Sequence, residues 1–302
     1  MRRLSRIVGV LCLLFATMTV VGQEAQAYPP QKLAHWGPVQ SLGNGQVQTL
    51  FLETPSGKPV AIGVAFDGDA LTGLPTSFSD GKWSYKGHSC CGHEHVLDFP
   101  DEVEQSTPFK WMMLNWNPQG HVPPNVYDIP HFDFHFYQQP YQERFDIKAG
   151  QCPAAPPGVL IDCPSFQKGM EPIPPKMQPD GFTNIGAVEA GMGAHLIDLN
   201  GPEWNGERFT HTYIWGAWEG EITFQEPMIT VEFFERQHAE VCTPYAAPEV
   251  MPEAGWYPTN YCIRYDRKSD RHFVTLEDFE WIKKVGTAGK GGPKGKGGPK
   301  GK

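Results

Sequence analysis

The sequence lacks the short motifs that mark several common classes of enzyme. It contains no Gly-x-Ser-x-Gly elbow, no His-Glu-x-x-His pair, no phosphate-binding glycine loop and no Cys-x-x-Cys. Serine hydrolases, the common zinc proteases, P-loop nucleotide-binding proteins and thiol oxidoreductases depend on these residues. The sequence therefore assigns no catalytic residue, and any chemistry must come from a different arrangement of side chains.

Long apolar runs are also scarce. One run, residues 7–21, follows Arg2, Arg3 and Arg6 and precedes the small residues Ala25 and Ala27. This order of charged, apolar and small residues is typical of a secretory signal peptide. The run is short for a membrane span, which needs about 20 residues. We therefore expect residues 1–27 to be a cleavable signal, the mature protein to be secreted or periplasmic, and no stable membrane insertion after cleavage.

Basic residues are sparse in the body of the chain. The formal net charge is −9, and 33 of the 34 acidic residues lie within residues 28–282. Such an acidic body disfavours nucleic acid as a partner and is compatible with cationic ligands, including metal ions. Beyond it, a tail holds seven lysines and gives Gly-Gly-Pro-Lys-Gly-Lys twice. A tail of this composition cannot bury apolar surface, so we expect residues 283–302 to be disordered.

Glycine and proline, in contrast, are abundant, with 33 and 29 residues. This composition argues against long helices and favours short strands joined by ordered turns. The pattern predicts strands at residues 46–53, 60–66, 110–116, 131–137, 209–215, 221–225, 228–234, 261–265 and 272–276. We expect a mostly β fold, an antiparallel sandwich or barrel-like single domain over residues 28–282, with long Pro/Gly-rich loops and few short helices.

The segments between the predicted strands are assigned to loops and short helices. Residues 28–45 are expected to be a loop-rich first segment, residues 76–108 irregular, and residues 149–182 a long connection. One helical turn is predicted at residues 69–74, because Pro75 follows it. A short helix capped by Thr275 is predicted to run through Lys284.

Six cysteines remain after the signal, and an even number in an exported chain indicates disulfides. Cys152 with Cys163 and Cys242 with Cys262 are attractive local pairs. Cys90 and Cys91 would then bond to each other or stay free as ligands. Residues 88–95 combine those two thiols with three histidines, so a soft-metal loop is the alternative to a disulfide there.

The strand at residues 131–137 carries the strongest arrangement of ligands. Side chains alternate along a strand, so His131, Asp133 and His135 share one face and three phenylalanines share the other. Imidazole and carboxylate ligands suit a divalent transition metal of the Zn, Mn, Fe or Cu type. The two histidines lie about 13 Å apart on a flat strand, so Asp133 would chelate an ion with one of them unless a bulge brings both together.

Further ligands must come from other segments of the chain. We predict that His195, which follows glycines, and Glu226, at the end of a strand, complete the metal shell with the strand residues. His211 and His121 are weaker candidates.

A structural role is the alternative for the same residues. Asp133 could pair with a histidine on a neighbouring strand in a buried polar network without a metal. The protein would then be a non-enzymatic exported module. Nine tryptophans and 12% aromatic residues could supply the interface of a homo-oligomer, although they also fit a core.

Several stretches of the chain resemble a family of bacterial exported proteins that carries a domain of unknown function and was first described from Thermus. The matching stretches are residues 115–121, with Trp116-Asn117-Pro118-Gln119-Gly120-His121, and residues 126–128, 130–137, 193–195, 209–212, 226–228 and 255–258. Together they span about residues 36–282. The resemblance implies an exported β-rich domain without an assigned activity. It also implies that His121, His131, Asp133, His135, His195 and Glu226 lie in one region, while residues 82–95 and the tail depart from the family pattern.

Overall fold

The computed structural model describes residues 34–286. The predicted signal peptide at residues 1–27 lies outside the described residues, as does the predicted disordered tail from residue 287 onward. Over the described range the chain is mostly β, with two large antiparallel sheets and few short helices, which confirms the predicted fold class. No helix within residues 34–286 has the length and apolar character needed to cross a membrane.

The first sheet has six strands. They are β1 (Ala34–Leu42), β2 (Gly45–Glu53), β3 (Pro59–Asp67), β13 (Glu240–Pro244), β16 (Asn260–Asp266) and β17 (Arg271–Glu277), in the spatial order β1-β2-β3-β17-β16-β13. The strands predicted at residues 46–53 and 60–66 pair with each other as β2 and β3, and those predicted at residues 261–265 and 272–276 pair as β16 and β17. Strand β1 was missed, because its register shifts between Trp36 and Val39 and breaks the alternation that indicates a strand.

The second sheet has seven strands and holds the candidate ligands. They are β6 (His93–Asp98), β7 (Trp111–Asn117), β8 (His131–Tyr137), β9 (Phe182–Glu189), β10 (Gly193–Asp198), β11 (His211–Trp218) and β12 (Glu221–Thr230), in the order β6-β7-β8-β12-β11-β10-β9. Strand β8 has the bounds that the sequence predicts and lies between β7 and β12.

Shorter elements cover the ends of these sheets. Two small sheets contain β4 (Trp83–Tyr85) with β5 (His88–Cys90), and β14 (Val250–Met251) and β15 (Gly255–Tyr257) on either side of β18 (Glu280–Lys284). The helices are α1 (Glu102–Ser106), α2 (Cys163–Gly169) and α3 (Val231–Glu235), and 3₁₀ turns occupy Gly68–Leu71, Tyr141–Asp146 and Pro202–Asn205. Strand β18 ends two residues beyond the predicted domain end at residue 282.

The two large sheets pack face to face through aromatic side chains. Phe132, Phe134 and Phe136 all belong to the main apolar core and are at most 1% exposed. The ring of Phe66 on β3 lies 6.4 Å from that of Phe134 and 5.1 Å from that of Phe234. Because the aromatic face of β8 points into this core, its polar face points to the opposite side of the second sheet.

Two local predictions were wrong. Residues 228–234 do not form a separate strand, because Pro227 lies inside β12 without ending it. The strand stops at Thr230, whose hydroxyl accepts a hydrogen bond from the Phe233 amide and so caps α3. The helix predicted from Thr275 to Lys284 is absent as well. Thr275 is buried in β17, and β18 follows after a turn at Asp278 with φ of 56°.

The irregular segment predicted at residues 76–108 contains strands β4 to β6 and helix α1. The connection predicted at residues 149–182 is mostly loop and contains α2. Three disulfides join Cys90 to Cys91, Cys152 to Cys163, and Cys242 to Cys262. The second of these fastens the start of α2 to the loop before it, and the third links the paired strands β13 and β16.

Candidate metal centres

The polar face of β8 borders a cavity of about 100 Å³ in the second sheet. Its polar lining includes His121, Asp133, His195 and Glu226, and its apolar lining includes residues such as Tyr127, Ile185, Met192 and Ile214. Such a volume holds several water molecules or one small ligand. His131 and His135 lie behind this lining and are fully buried, with an exposed fraction of 0% for both.

A first group of ligands consists of His121, His131 and Asp133, which we call centre 1. The donor atoms of the three side chains lie within 4.8 Å of one another. His131 Nε2 is 3.1 Å from Asp133 Oδ1, and His121 Nε2 is 3.6 Å from Asp133 Oδ2. His121 comes from the loop between β7 and β8, so this loop folds back over the strand that it precedes.

Neighbouring groups fix the side chains of centre 1. His121 Nδ1 donates to the Val122 carbonyl at 2.7 Å, and His131 Nδ1 donates to the Ile129 carbonyl at 2.6 Å. The Asn117 amide donates to Asp133 Oδ2 at 2.7 Å. Histidine ligands of metals usually donate their second nitrogen to such a partner, which fixes the tautomer and the ring orientation.

A second group consists of His135, His195 and Glu226, which we call centre 2. The three residues come from β8, β10 and β12, and their donor atoms also lie within 4.8 Å of one another. Glu226 Oε1 is 3.4 Å from His135 Nε2, and Oε2 is 3.5 Å from His195 Nε2. All three residues are buried, and His195 Nδ1 donates to the Ala187 carbonyl at 3.2 Å.

Glycines and an arginine position the turn that brings His195 to centre 2. Gly191 has φ of +72°, and a Cβ there would lie 2.1 Å from the Trp83 ring, so only glycine fits. The buried Arg144 donates from Nε to the Gly191 carbonyl at 3.0 Å and forms an ion pair with Glu94. This turn leads directly into β10.

The tautomers of these histidines create an electrostatic problem. A nitrogen that faces a carbonyl must carry the proton, so Nε2 of the neutral His121, His131 and His195 presents a lone pair. That lone pair faces a carboxylate oxygen, which is also an acceptor. Buried atoms without a hydrogen-bond partner include His131 Nε2, Asp133 Oδ1, both ring nitrogens of His135 and Glu226 Oε2. Unsatisfied buried polar groups are costly, and a cation between the facing acceptors would relieve them.

Protons can supply only part of that positive charge. Burial works against protonation of His121, but contacts with Asp133 raise the pKa of this histidine. Burial lowers the pKa of His135 to about 3 and that of His195 to about 4. Burial and the nearby Asp133 charge raise the pKa of Glu226. A protonated Glu226 could donate to His195 Nε2 and accept from His135 Nε2, because no carbonyl fixes the tautomer of His135.

The five ligands predicted from the sequence are therefore divided between two groups. His131 and Asp133 belong to centre 1, and His135, His195 and Glu226 belong to centre 2. The third member of centre 1 is His121, which the sequence indicated as a weaker candidate and which the resemblance implied to lie in the same region. Each centre combines two histidines with one carboxylate.

Two other candidates lie apart from both centres. His211 Nδ1 forms a hydrogen bond of 2.7 Å with the Tyr261 hydroxyl, and His211 does not border the cavity. In the segment of residues 88–95, the two cysteines form a disulfide, and His93 Nε2 bonds to the Ser77 carbonyl at 2.7 Å. The histidines of that segment do not form a metal-binding group with its cysteines within residues 34–286.

Comparison with protein families gives a match to the TTHB210-like family (hypothetical protein TTHB210) over residues 55–116. This segment runs from the turn before β3 to the last residue but one of β7 and contains Cys90, Cys91 and Asn115, but ends before the six ligands of the two centres. The match supports a relationship to a family of unknown function in that part of the chain. Neither the curated proteins nor the solved structures give a match.

Proposed function

We propose that this chain is an exported protein that binds two transition-metal ions, one at centre 1 and one at centre 2, in a shared cavity. The observation that carries the proposal is that Nε2 of the buried His131 and His195, which presents a lone pair in the neutral ring, faces a carboxylate oxygen. Two histidines and one carboxylate form a ligand set suited to Zn, Mn, Fe or Cu ions.

The arrangement of the ligands also supports an exchangeable position on each metal. Three protein ligands leave at least one coordination position for water or a small ligand, and such water is a source of nucleophile or proton chemistry. His121, Asp133, His195 and Glu226 all border the cavity. The cavity volume of about 100 Å³ limits an incoming ligand to a few heavy atoms.

Export is supported by the cysteines. All six cysteines within the described residues are joined in disulfides, and disulfides persist mainly in oxidising compartments. The charged, apolar and small segments at residues 1–27 support the same proposal from the sequence.

A homo-oligomer also remains a prediction, which light scattering of the mature protein would test.

A structural polar network is the second candidate for both centres. Asp133 accepts a hydrogen bond from Asn117, and a protonated His121 would add a second donor. At centre 2, a protonated Glu226 could donate to His195 Nε2 and accept from His135 Nε2. Such a network leaves His135 Nδ1 without a donor.

Metal content of matched variants tests the proposal. Asp133→Asn and Glu226→Gln keep the shape of each side chain and remove its charge, at centre 1 and centre 2 respectively. We expect two ions per chain in the mature protein, about one in each variant and none in the double variant, by elemental analysis after dialysis. His272→Gln removes a buried histidine far from the cavity and should retain two ions. Equal metal content in the wild type and the double variant would contradict the proposal.

A further inference from the structure

The Cys90–Cys91 disulfide forms part of the wall of the same cavity. Both residues border it, Cys90 as a buried residue and Cys91 as a half-buried one. The Asn115 amide donates to the Cys91 carbonyl at 2.7 Å and fixes the main chain there. Asn115 is the neighbour of Asp133 across the β7–β8 pair. The two sulfur atoms thus belong to the wall of the cavity that the metal centres share.

An acidic side chain faces these sulfur atoms. Glu189 Oε2 is 3.9 Å from Cys91 Sγ, and the Ala190 carbonyl oxygen is 3.8 Å from the same sulfur. A disulfide sulfur carries no hydrogen, so it cannot donate to either oxygen. Within residues 34–286, no lysine, arginine or histidine forms an ion pair with Glu189. Burial raises the pKa of this carboxyl to about 7.

We propose that Cys90 and Cys91, once reduced, bind a soft monovalent cation of the Cu(I) class together with Glu189. The sulfur atoms and a carboxylate oxygen already lie within 4.8 Å of one another. Thiolates are soft ligands that select such ions over the harder cations that suit imidazole and carboxylate. The cation would form an ion pair with the Glu189 carboxylate.

Oxidation of the two cysteines to a disulfide removes the thiolate ligands, and a dithiol reductant restores them. A thiolate of the reductant attacks one sulfur of the disulfide, forms a mixed disulfide and releases the other cysteine as a thiolate. The second thiol of the reductant then displaces the first cysteine. Two electrons and two protons pass to the protein, which gains two thiols, and the reductant leaves as its own disulfide. Cation binding afterwards displaces the thiol protons.

Copper titration of the full mature protein tests this site. The protein is reduced with dithiothreitol, separated from it under argon and titrated with Cu(I) against the chelator bicinchoninate. We expect the reduced protein to show a thiolate-to-copper charge-transfer band that the oxidised protein lacks. Cys90→Ser/Cys91→Ser should lose this band, while the matched pair Cys242→Ser/Cys262→Ser keeps it. Glu189→Gln should weaken Cu(I) binding to the protein, so that bicinchoninate binds a larger share of the copper.

A measurement on the wild type covers the case in which a variant does not fold. Bound Cu(I) should protect Cys90 and Cys91 of the reduced protein from iodoacetamide and leave the exposed Cys242 reactive, by peptide mass spectrometry. Unchanged alkylation of Cys90 and Cys91, or an equal charge-transfer band in their serine variant, would overturn the inference. The Asp133→Asn/Glu226→Gln variant should keep the band, so the two proposals fail separately.

Discussion

Asp133 and Glu226 are both buried carboxylates facing two histidines, but their surroundings differ. Burial opposes the charge of Asp133, yet the neighbouring His131 and His121 lower its pKa below the ordinary value. Glu226 has no comparable help, and burial together with Asp133 raises its pKa. Centre 1 thus holds a stabilised anion in the protein alone, whereas centre 2 stabilises an anion only if a cation joins it. In the protein alone, the two centres therefore differ in the charge of their carboxyl group.

Asn117 provides a prediction at the scale of one residue. Its amide donates to Asp133 Oδ2 at 2.7 Å, and loss of such an orienting partner typically weakens metal binding about 10- to 100-fold. In a competition titration with a metal chelator, we expect Asn117→Ala to lower the metal affinity of centre 1 by that factor and to leave the affinity of centre 2 unchanged. Asn115→Ala is the matched control, because Asn115 lies on the same strand and bonds to Cys91 instead. Equal effects of both variants would contradict the positioning role.

The elements that carry the ligands differ in how well they can be predicted from the sequence. Strand β8 could be predicted to the residue, because alternation of phenylalanine with His131, Asp133 and His135 indicates both its period and its two faces. The pairing of β8 with β12 could not be predicted, because register between distant strands depends on tertiary packing. Without that pairing, Glu226 could not be assigned to His135 rather than to Asp133.

The loop that carries His121 shows the same limit. The sequence identifies a turn-rich connection between β7 and β8, but the direction in which the loop folds follows from contacts with distant segments. His121 packs its ring against those of Tyr127 and His131, at centroid distances of 5.8 Å and 4.7 Å. These contacts bring the loop over Asp133, and a pattern of residue types contains no information about them.

Gly216 on β11 provides a prediction at the scale of the element. It pairs with His195, and a Cβ at this position would lie 2.1 Å from the Phe224 ring. That ring lies 5.1 Å from the His135 ring and 5.2 Å from the His195 ring. We expect Gly216→Ala to displace Phe224 toward centre 2, to lower metal retention there, and to cost about 1–3 kcal/mol of unfolding free energy. Elemental analysis and urea denaturation measure the two effects.

A second substitution distinguishes displacement of Phe224 from general damage to the strand. Adding Phe224→Leu to Gly216→Ala removes ring atoms from the region of overlap and should restore part of the metal retained at centre 2. Retention in Gly216→Ala equal to that of the wild type would show that the ring does not press on the histidines.

At the scale of the whole molecule, the packing between the two sheets and the candidate sites lie on opposite faces of the second sheet. One face of the second sheet packs on the first sheet through phenylalanines, and the opposite face holds the ligands and the cavity. Composition and alternation predicted the mostly β fold, because both follow from local preferences. The strand order of the two sheets could not be predicted, since segments distant in the sequence form it. An example is β3, which pairs with β17 across more than 200 residues.

The stability of the sandwich should depend on pH through a histidine far from the metal centres. His272 on β17 packs between the rings of Phe66 and Tyr265, and burial lowers its pKa from 6.5 to about 4. Between these values the unfolded chain binds a proton that the folded chain does not. The free energy of unfolding should therefore fall as pH falls from 6.5 to 4, and this contribution should level off below pH 4.

Urea denaturation at pH 7 and pH 4.5 measures this dependence. His272→Gln cannot bind the proton, so its urea midpoint should fall less between the two pH values than that of the wild type. Both proteins lose stability through other groups, and the difference between them isolates His272. Identical losses would show that His272 does not contribute to the pH dependence.

The presence of two ions in one cavity can be measured most directly by anomalous diffraction from crystals of the mature protein, recorded on either side of the absorption edge of the bound metal. The account predicts two anomalous peaks, one among His121, His131 and Asp133 and one among His135, His195 and Glu226. A map without peaks at these positions, with the histidines hydrogen-bonded directly to the two carboxylates, would contradict it.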